Sequence, residues 1–394
     1  MKTIARKKST IVVVVSLISL VLTQPAFAYP PDNAAILYYR ACLSYQADEE
    51  MEGALSDLHK GKTELDDQIR EYVEKNRYVI NLVLDASEVR NCDWGLDYSD
   101  GLAVLAPPLN VLRKLGRLVI ADGKILAEEG DYEAALSRCV SVRKMGRHVG
   151  EPLIIDYLVG ISLGDLANKG MQSVLADMSP DLQTLRWLKN QLAEIETRPL
   201  LAKAAISEEA KFYLAAMQKE KAEEILKMFS DNECSDASVP NQLLERIRNG
   251  DEDFFERNRI YWQDIYGQAM AALDLPYPQA YLRLKEIGEE PARDANSNPD
   301  ATLSAILQPA LGAVYSIGVR FETFSNAVRS AVDIYIIHAE TGRLPDGLPA
   351  GLPKDLFSGG DFEYEKKTDG FVLRCQAKDL DKDKLHEYEF KMRK

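Results

Sequence analysis

Histidine is scarce in this chain, and the cysteines follow no paired pattern. The four histidines, His59, His148, His338 and His386, stand far apart, which excludes the close ligand spacing of a zinc cluster. The five cysteines, Cys42, Cys92, Cys139, Cys234 and Cys375, form no C-x-x-C pair, and an odd count leaves at least one thiol over. There is no glycine-rich phosphate loop and no dinucleotide fingerprint. Positive charge is in deficit, with 48 Lys and Arg against 62 Asp and Glu. A chain this acidic repels nucleic acid and anionic membrane surfaces, so no nucleic-acid partner is expected. Beyond Leu22 no stretch reads as apolar enough to cross a bilayer.

What is present begins at the N-terminus. Lys2, Arg6, Lys7 and Lys8 precede an apolar run from Ile11 to Leu22, and Ala26-Phe27-Ala28 follows. A charged head, a short apolar run and a small-x-small site describe a secretory signal peptide over residues 1–28, cut after Ala28. The expected destination is the periplasm or the exterior, with no stable membrane insertion after cleavage. Losing those four charges takes the net charge from −14 to −18. An oxidising compartment permits disulfides. Cys42 and Cys92 are the first candidate pair, whereas Cys139 lies on an apolar stripe and reads as a small core residue.

The pattern between Pro107 and Val149 predicts two helices joined at Glu129-Gly130-Asp131. Gly130 suits the left-handed position past a helix, and Asp131 can cap the next one. Tyr132, Ala135, Leu136, Cys139 and Val142 recur at helical spacing. Further helices are expected over 34–45, 48–58, 65–84, 151–178, 181–195, 198–229, 242–248, 252–273, 278–287, 301–315 and 321–340, with an exposed loop over 289–300. Past Gly342 the character changes. Phe362 and Tyr364, then Phe371, Leu373 and Cys375, then His386, Tyr388 and Phe390 alternate with other residues, and Thr368-Asp369-Gly370 is a hairpin signal. The expected architecture is mainly α: an irregular stack of helical hairpins over 29–340, closed by a small antiparallel β meander over 341–394.

Three resemblances follow. Gly130-Asp131-Tyr132-Glu133-Ala134-Ala135-Leu136, with Gly123 before it, resembles half of a tetratricopeptide repeat. The leading aromatic is absent, Arg147 replaces the closing proline, and no second copy recurs at a fixed period. Gly342-Arg343-Leu344-Pro345, Asp355-Leu356-Phe357-Ser358-Gly359, Phe362-x-Tyr364 and Asp369-Gly370-Phe371-Val372-Leu373 resemble the C-terminal part of type II secretion major pseudopilins. The N-terminus lacks a prepilin leader and its long assembly helix. Asn33-Ala34-Ala35-x-Leu37-Tyr38-Tyr39 and Cys92-Asp93-Trp94-Gly95-Leu96-Asp97-Tyr98, with this hairpin and tail, resemble a group of uncharacterised secreted proteins of planctomycete-type bacteria. That resemblance implies a fold and a compartment and no activity.

Candidate chemistry is sparse. The polar loop from Asn91 to Ser99 is where a binding site is expected, with Trp94, Asp97 and Tyr98 as its residues. Asp379, Asp381 and Asp383 alternate as D-x-D-x-D, which offers carboxylate oxygens to a hard cation. The pseudopilin resemblance adds that such tails bind calcium, although Lys378, Lys382 and Lys384 crowd the run. Gly160-Ile161-Ser162-Leu163-Gly164 matches the nucleophile elbow of α/β-hydrolases, but no alternating α/β pattern surrounds it. The favoured reading is a non-enzymatic exported protein that binds a protein partner or itself, a scaffold of the cell envelope. The alternatives are an exported hydrolase using Ser162 or an Asp/Glu pair, and an accessory of a pilus-like secretion machine.

Overall fold

The computed structural model describes residues 32–96, 107–230 and 239–393. The signal peptide, Cys234, and the candidate residues Asp97 and Tyr98 lie outside the described residues. In chain order come α1 (Ala34–Ser44), α2 (Glu49–His59), α3 (Asp67–Lys75), α4 (Arg77–Glu88), α5 (Leu109–Glu128) and α6 (Tyr132–Val149). Then follow α7 (Ile154–Asp177), α8 (Leu182–Ile195), α9 (Ala202–Ala216), α10 (Ala222–Ser230) and α11 (Asn241–Arg248). The chain closes with α12 (Glu252–Ala272), α13 (Tyr277–Asp294), α14 (Thr302–Leu307), α15 (Leu311–Thr341) and strands β1 (Glu363–Lys367), β2 (Gly370–Arg374) and β3 (Glu387–Lys391). The architecture is mainly α with a small antiparallel meander, as the sequence predicts.

The α5–α6 turn has a local cause. Gly130 takes φ +89°, where a Cβ would be strained. Its N–H donates to the Ala127 carbonyl, and the Asp131 N–H reaches back to Leu126. These two bonds define a Schellman closure of α5. Asp131 Oδ1 then accepts from the Ala134 N–H at 3.1 Å and opens α6. Next, α7 lies on α6 with almost no side-chain spacer. A Cβ added at Gly160 would fall 2.5 Å from the Gly146 carbonyl oxygen, and one at Gly164 would strike Arg143 and Phe321. The glycines of the G-x-S-x-G run are therefore there for helix contact. Ser162 sits in mid-helix on the exposed side of α7, so the strand-to-helix elbow that would activate it is not formed.

Several boundaries differ from the periodic pattern. The predicted helix over 65–84 is two helices, because Asn76 breaks the ladder. Its buried side chain accepts from the Gln46 N–H at 3.0 Å and donates to the Tyr72 carbonyl at 3.2 Å. The predicted helix over 198–229 is interrupted at Met217, which turns fully into the core. Conversely, α13 runs on through Pro291 to Asp294 instead of ending near Ile287. Proline cannot donate to the carbonyl four residues back; that carbonyl, of Ile287, accepts from Gln308 Nε2 at 3.1 Å. The two helices expected at 301–315 and 321–340 divide at Gln308-Pro309-Ala310 instead. Gln308 is extended at ψ 127°, as a residue before proline prefers. Beyond that point α15 is one helix of 31 residues.

Two apolar cores lie side by side. The first joins α1 through α8 to the start of α13 (Tyr277 and Tyr281), the later part of α15 and the sheet, with Phe357, Phe371, Leu373 and Phe390 among its members. The second gathers α9 through α14 around Trp262 and the early part of α15. Helix α7 contributes Leu163 and Met171 to the first core and Tyr157 and Ile161 to the second. The sheet order is β1-β2-β3, with Tyr364 opposite Leu373 and Leu373 opposite Tyr388. Its buried face lies on α15, where Phe324 stacks on Tyr388 with ring centres 5.0 Å apart. The segment from Pro299 to Thr341 has the length and hydropathy (1.4) of a membrane span, contrary to the expectation that no stretch beyond Leu22 would. Protein already covers its apolar faces, since this helix carries both cores.

Candidate functional site

The two N-terminal motifs meet in space and build one wall of a cleft. Asn33 caps α1 by accepting from the Ala35 N–H at 3.1 Å. The same side chain donates to the Asp93 carbonyl at 2.7 Å and accepts from the Asp93 N–H at 2.8 Å. The Ala34 N–H donates to Asn91 O at 2.8 Å. The loop is thus clamped across the first turn of α1. Trp94 is held from three sides. It stacks on Tyr38 at 5.7 Å and meets Tyr39 edge-on at 5.4 Å, and its indole N–H donates to the His148 carbonyl at 2.8 Å. Only 8% of Trp94 remains exposed, so it forms the wall of the cleft and is not a freely presented ring.

His148 ends α6 against this wall, with Nδ1 3.1 Å from Tyr38 Oη. Burial first, and then the charges of Arg147, Arg198 and Lys144, lower its pKa to about 4. The imidazole is therefore neutral at pH 7 and sits in a positive field. The cleft itself measures about 830 Å³ and runs from the end of α4, past Cys92 and Trp94, to the end of α8 and Pro199. Lys144 is paired with Glu88 at 2.8 Å. Arg147 reaches Glu151 at only 3.8 Å, and its buried Nη1 has no hydrogen-bond partner. Behind the cleft Arg143 pairs with Glu196 at 2.9 Å and lies over the Phe321 ring. Guanidinium and ammonium groups at fixed positions beside a tryptophan wall suit recognition of carboxylates.

The other sequence candidates are placed differently. Cys42 and Cys92 are both free thiols, which corrects the expected disulfide. The Cys92 thiol faces the Ala35 N–H, at the first turn of α1. Cys42 lies two turns further on, roughly 10 Å along the helix axis and beyond disulfide reach. Burial raises the Cys42 thiol to about 11 and the Cys92 thiol to about 12, so both stay protonated. Cys139 is buried on its stripe as predicted.

Asp379, Asp381 and Asp383 do not fit a calcium ion, because donors of the chain itself take their oxygens. Asp379 Oδ1 accepts from Tyr277, Ser316 and the Asp381 N–H, and Oδ2 lies on Arg320 Nε at 2.7 Å and His386 Nε2 at 3.0 Å. Asp381 completes the Arg320 fork at 3.0 Å, and Asp383 pairs with Lys378. Burial opposes the Asp379 charge, yet the bonds from Arg320 and His386 hold its carboxyl well below the usual range. Arg320 stands where a cation would. This cluster pins the last loop to α15 and α13.

Carboxylate pairs do occur. Glu196 and Glu322 line a recess beside Arg143, and burial together with Glu196 raises Glu322 to about 7. The recess holds about 10 Å³, the room of about one water. Among the described residues, no group of three or more His, Cys, Asp or Glu converges to hold a metal. The residues that sequence reasoning missed are Lys144, Arg147 and Arg198. The first two recur with His148 at i, i+3 and i+4 on the last turns of α6, a cationic face that could have been read from the sequence. Arg198 comes from α8's far end, and only the fold brings it there. Family models, curated proteins and solved structures were compared with this chain, and none matches it.

Proposed function

We propose that this is an exported, non-enzymatic binding module that receives a carboxylate-bearing segment of a protein partner in the cleft between Trp94 and Arg198. The observation that carries the reading is the convergence of Lys144, Arg147 and Arg198 on one cleft of about 830 Å³ beside Trp94. A carboxylate would meet these guanidinium and ammonium donors with charge-assisted bonds. The net negative charge of the chain disfavours such a ligand over most of the surface, so a cationic cleft gives register. The hydrolase alternative has less support: Ser162 lies in mid-helix, and the Glu196–Glu322 recess has no room for a substrate.

The test places a photo-crosslinking residue at Thr197, on the cleft rim, in the exported protein in its own host. A discrete protein adduct is expected, reduced at least tenfold by Arg147→Gln or Arg198→Gln. An adduct that persists unchanged in both variants refutes the reading. Far-UV circular dichroism of the variants separates lost binding from lost folding.

A further inference from the structure

We propose a second ligand site, for a phosphate-class oxyanion, where α2, α5 and α7 converge around Arg113 and Arg117. The pocket measures about 170 Å³ and lies away from the Trp94 cleft. Its walls bring Lys60 from the end of α2, Arg113 and Arg117 from α5, and Lys169 from α7 around the hydroxyls of Ser56 and Ser162. This is a concentration of cations on a chain of net charge −14.

The charges are not balanced from within. Arg113 and Arg117 are four apart on one helix, an arrangement that repels like charges. Burial and the Arg113 charge together lower the Arg117 pKa. Glu52 is the carboxylate that partly offsets this, but its Oε2 pairs with Lys114 at 2.8 Å. Lys169 takes Asp165 at 2.7 Å, and Lys60 reaches Asp57 only at 3.7 Å. Among the described residues, no carboxylate pairs with either guanidinium. The cavity wall also carries the carboxylate of Asp165, held by Lys169, so the site presents two unneutralised guanidinium groups and two hydroxyl donors beside one neutralised carboxylate.

The donor set selects the class of ligand. Two planar forks, two ammonium groups and two hydroxyls offer more donors than the two oxygens of a carboxylate can accept. A tetrahedral anion with three or four oxygens and up to two charges matches them, and arginine forks recognise phosphate in this way. The pocket also gives Ser162 a role that its G-x-S-x-G context denied it, as a hydrogen-bond donor to a bound anion. His59 lines the same pocket with Nε2 2.8 Å from the Arg117 carbonyl, which orients that ring as a donor to the backbone. No hydrogen bond joins His59 to Ser162 among the described residues, so no serine–histidine couple is assembled.

The test is calorimetric titration of the full exported chain with inorganic phosphate at constant ionic strength, with glycerol phosphate and acetate in parallel arms. Saturable phosphate binding is expected at millimolar concentration or tighter, and at least tenfold weaker binding of acetate. Arg117→Gln should weaken phosphate binding at least tenfold, whereas Arg198→Gln, in the other cleft, should leave it unchanged. Arg113→Lys, at an exposed position, keeps the charge and should lose less than Arg113→Gln. No binding, binding of the ester alone, equal binding by the Arg117→Gln protein, or loss in the Arg198→Gln protein each overturns the proposal. The last outcome would place the anion in the Trp94 cleft.

Discussion

The ionisable residues of this protein pull its acid response in opposite directions. His59 and His148 both have pKa values lowered to about 4, chiefly by burial. Their unfolded forms gain a proton near pH 6.5 while the folded forms do not. The stability they contribute is present above that pH and is lost as pH falls toward 4. Glu322 behaves inversely. Its folded pKa of about 7 lies above the ordinary 4.5, so its ionisation destabilises the fold as pH rises through that window. Replacing Glu322 by Gln removes that charge and keeps the shape. The variant should be more stable than the parent at pH 8, by on the order of 2 kcal/mol, and equal to it near pH 4.5. Urea unfolding at the two pH values measures this; a gain that is the same at both would show that ionisation of Glu322 is not the cause. None of this was legible in the sequence. Glu322 acquires its environment from Glu196 and Arg143 on other helices, and Asp379 is paired with Arg320, 59 residues away. The sequence shows a carboxylate but not the dielectric or the partner that fixes its pKa.

At the scale of elements, legibility follows the range of the causing interaction. The α5–α6 hairpin was readable because its closure and cap lie within six residues of Gly130. The meander was readable because its alternation and its Asp369-Gly370 turn are local. The break at Asn76 was not, since a backbone donor 30 residues earlier creates it. Nor was the passage of α13 through Pro291, which depends on Gln308. The G-x-S-x-G run is the instructive case, because one short pattern had two readings that only context divides. Here the glycines serve the α6–α7 contact, and that can be tested directly. Gly160→Ala would press a methyl group onto the Gly146 carbonyl, a backbone atom that cannot rotate away. It should destabilise by roughly 1–3 kcal/mol or more. Ser162→Ala, exposed on the same helix, should change stability by no more than about 0.5 kcal/mol. Thermal unfolding of the pair decides: a silent Gly160→Ala would mean that the two helices are not in the contact described.

The molecule as a whole is organised by helices that belong to two cores at once: α7, α15 and, with Tyr277 and Tyr281 in the first core and Leu284 and Ile287 in the second, α13. Helix α15 places Leu311, Val314 and Phe321 in the second core and Phe324, Val328 and Tyr335 in the first. Helix α7 divides its faces in the same way. The sheet is not a separate unit in energetic terms, because its aromatic face belongs to the same core as α1 through α8. Neither core can lose its packing without stripping apolar cover from α7 and α15, and that exposed area would weaken the other core. Chains of this length commonly unfold in steps, yet these shared helices predict one cooperative transition. Tryptophan provides the probes. Trp94 reports the first core and Trp262, fully buried, reports the second. With Trp187 replaced by Phe and one of the other two removed in turn, the two remaining signals should give superimposable urea curves, with the same midpoint and slope. Truncating Phe255 to Ala, deep in the second core, should lower the midpoint seen by Trp94 as much as that seen by Trp262. Two separated midpoints, or a Phe255→Ala effect confined to Trp262, would mean that α7 and α15 pass between the cores without coupling them.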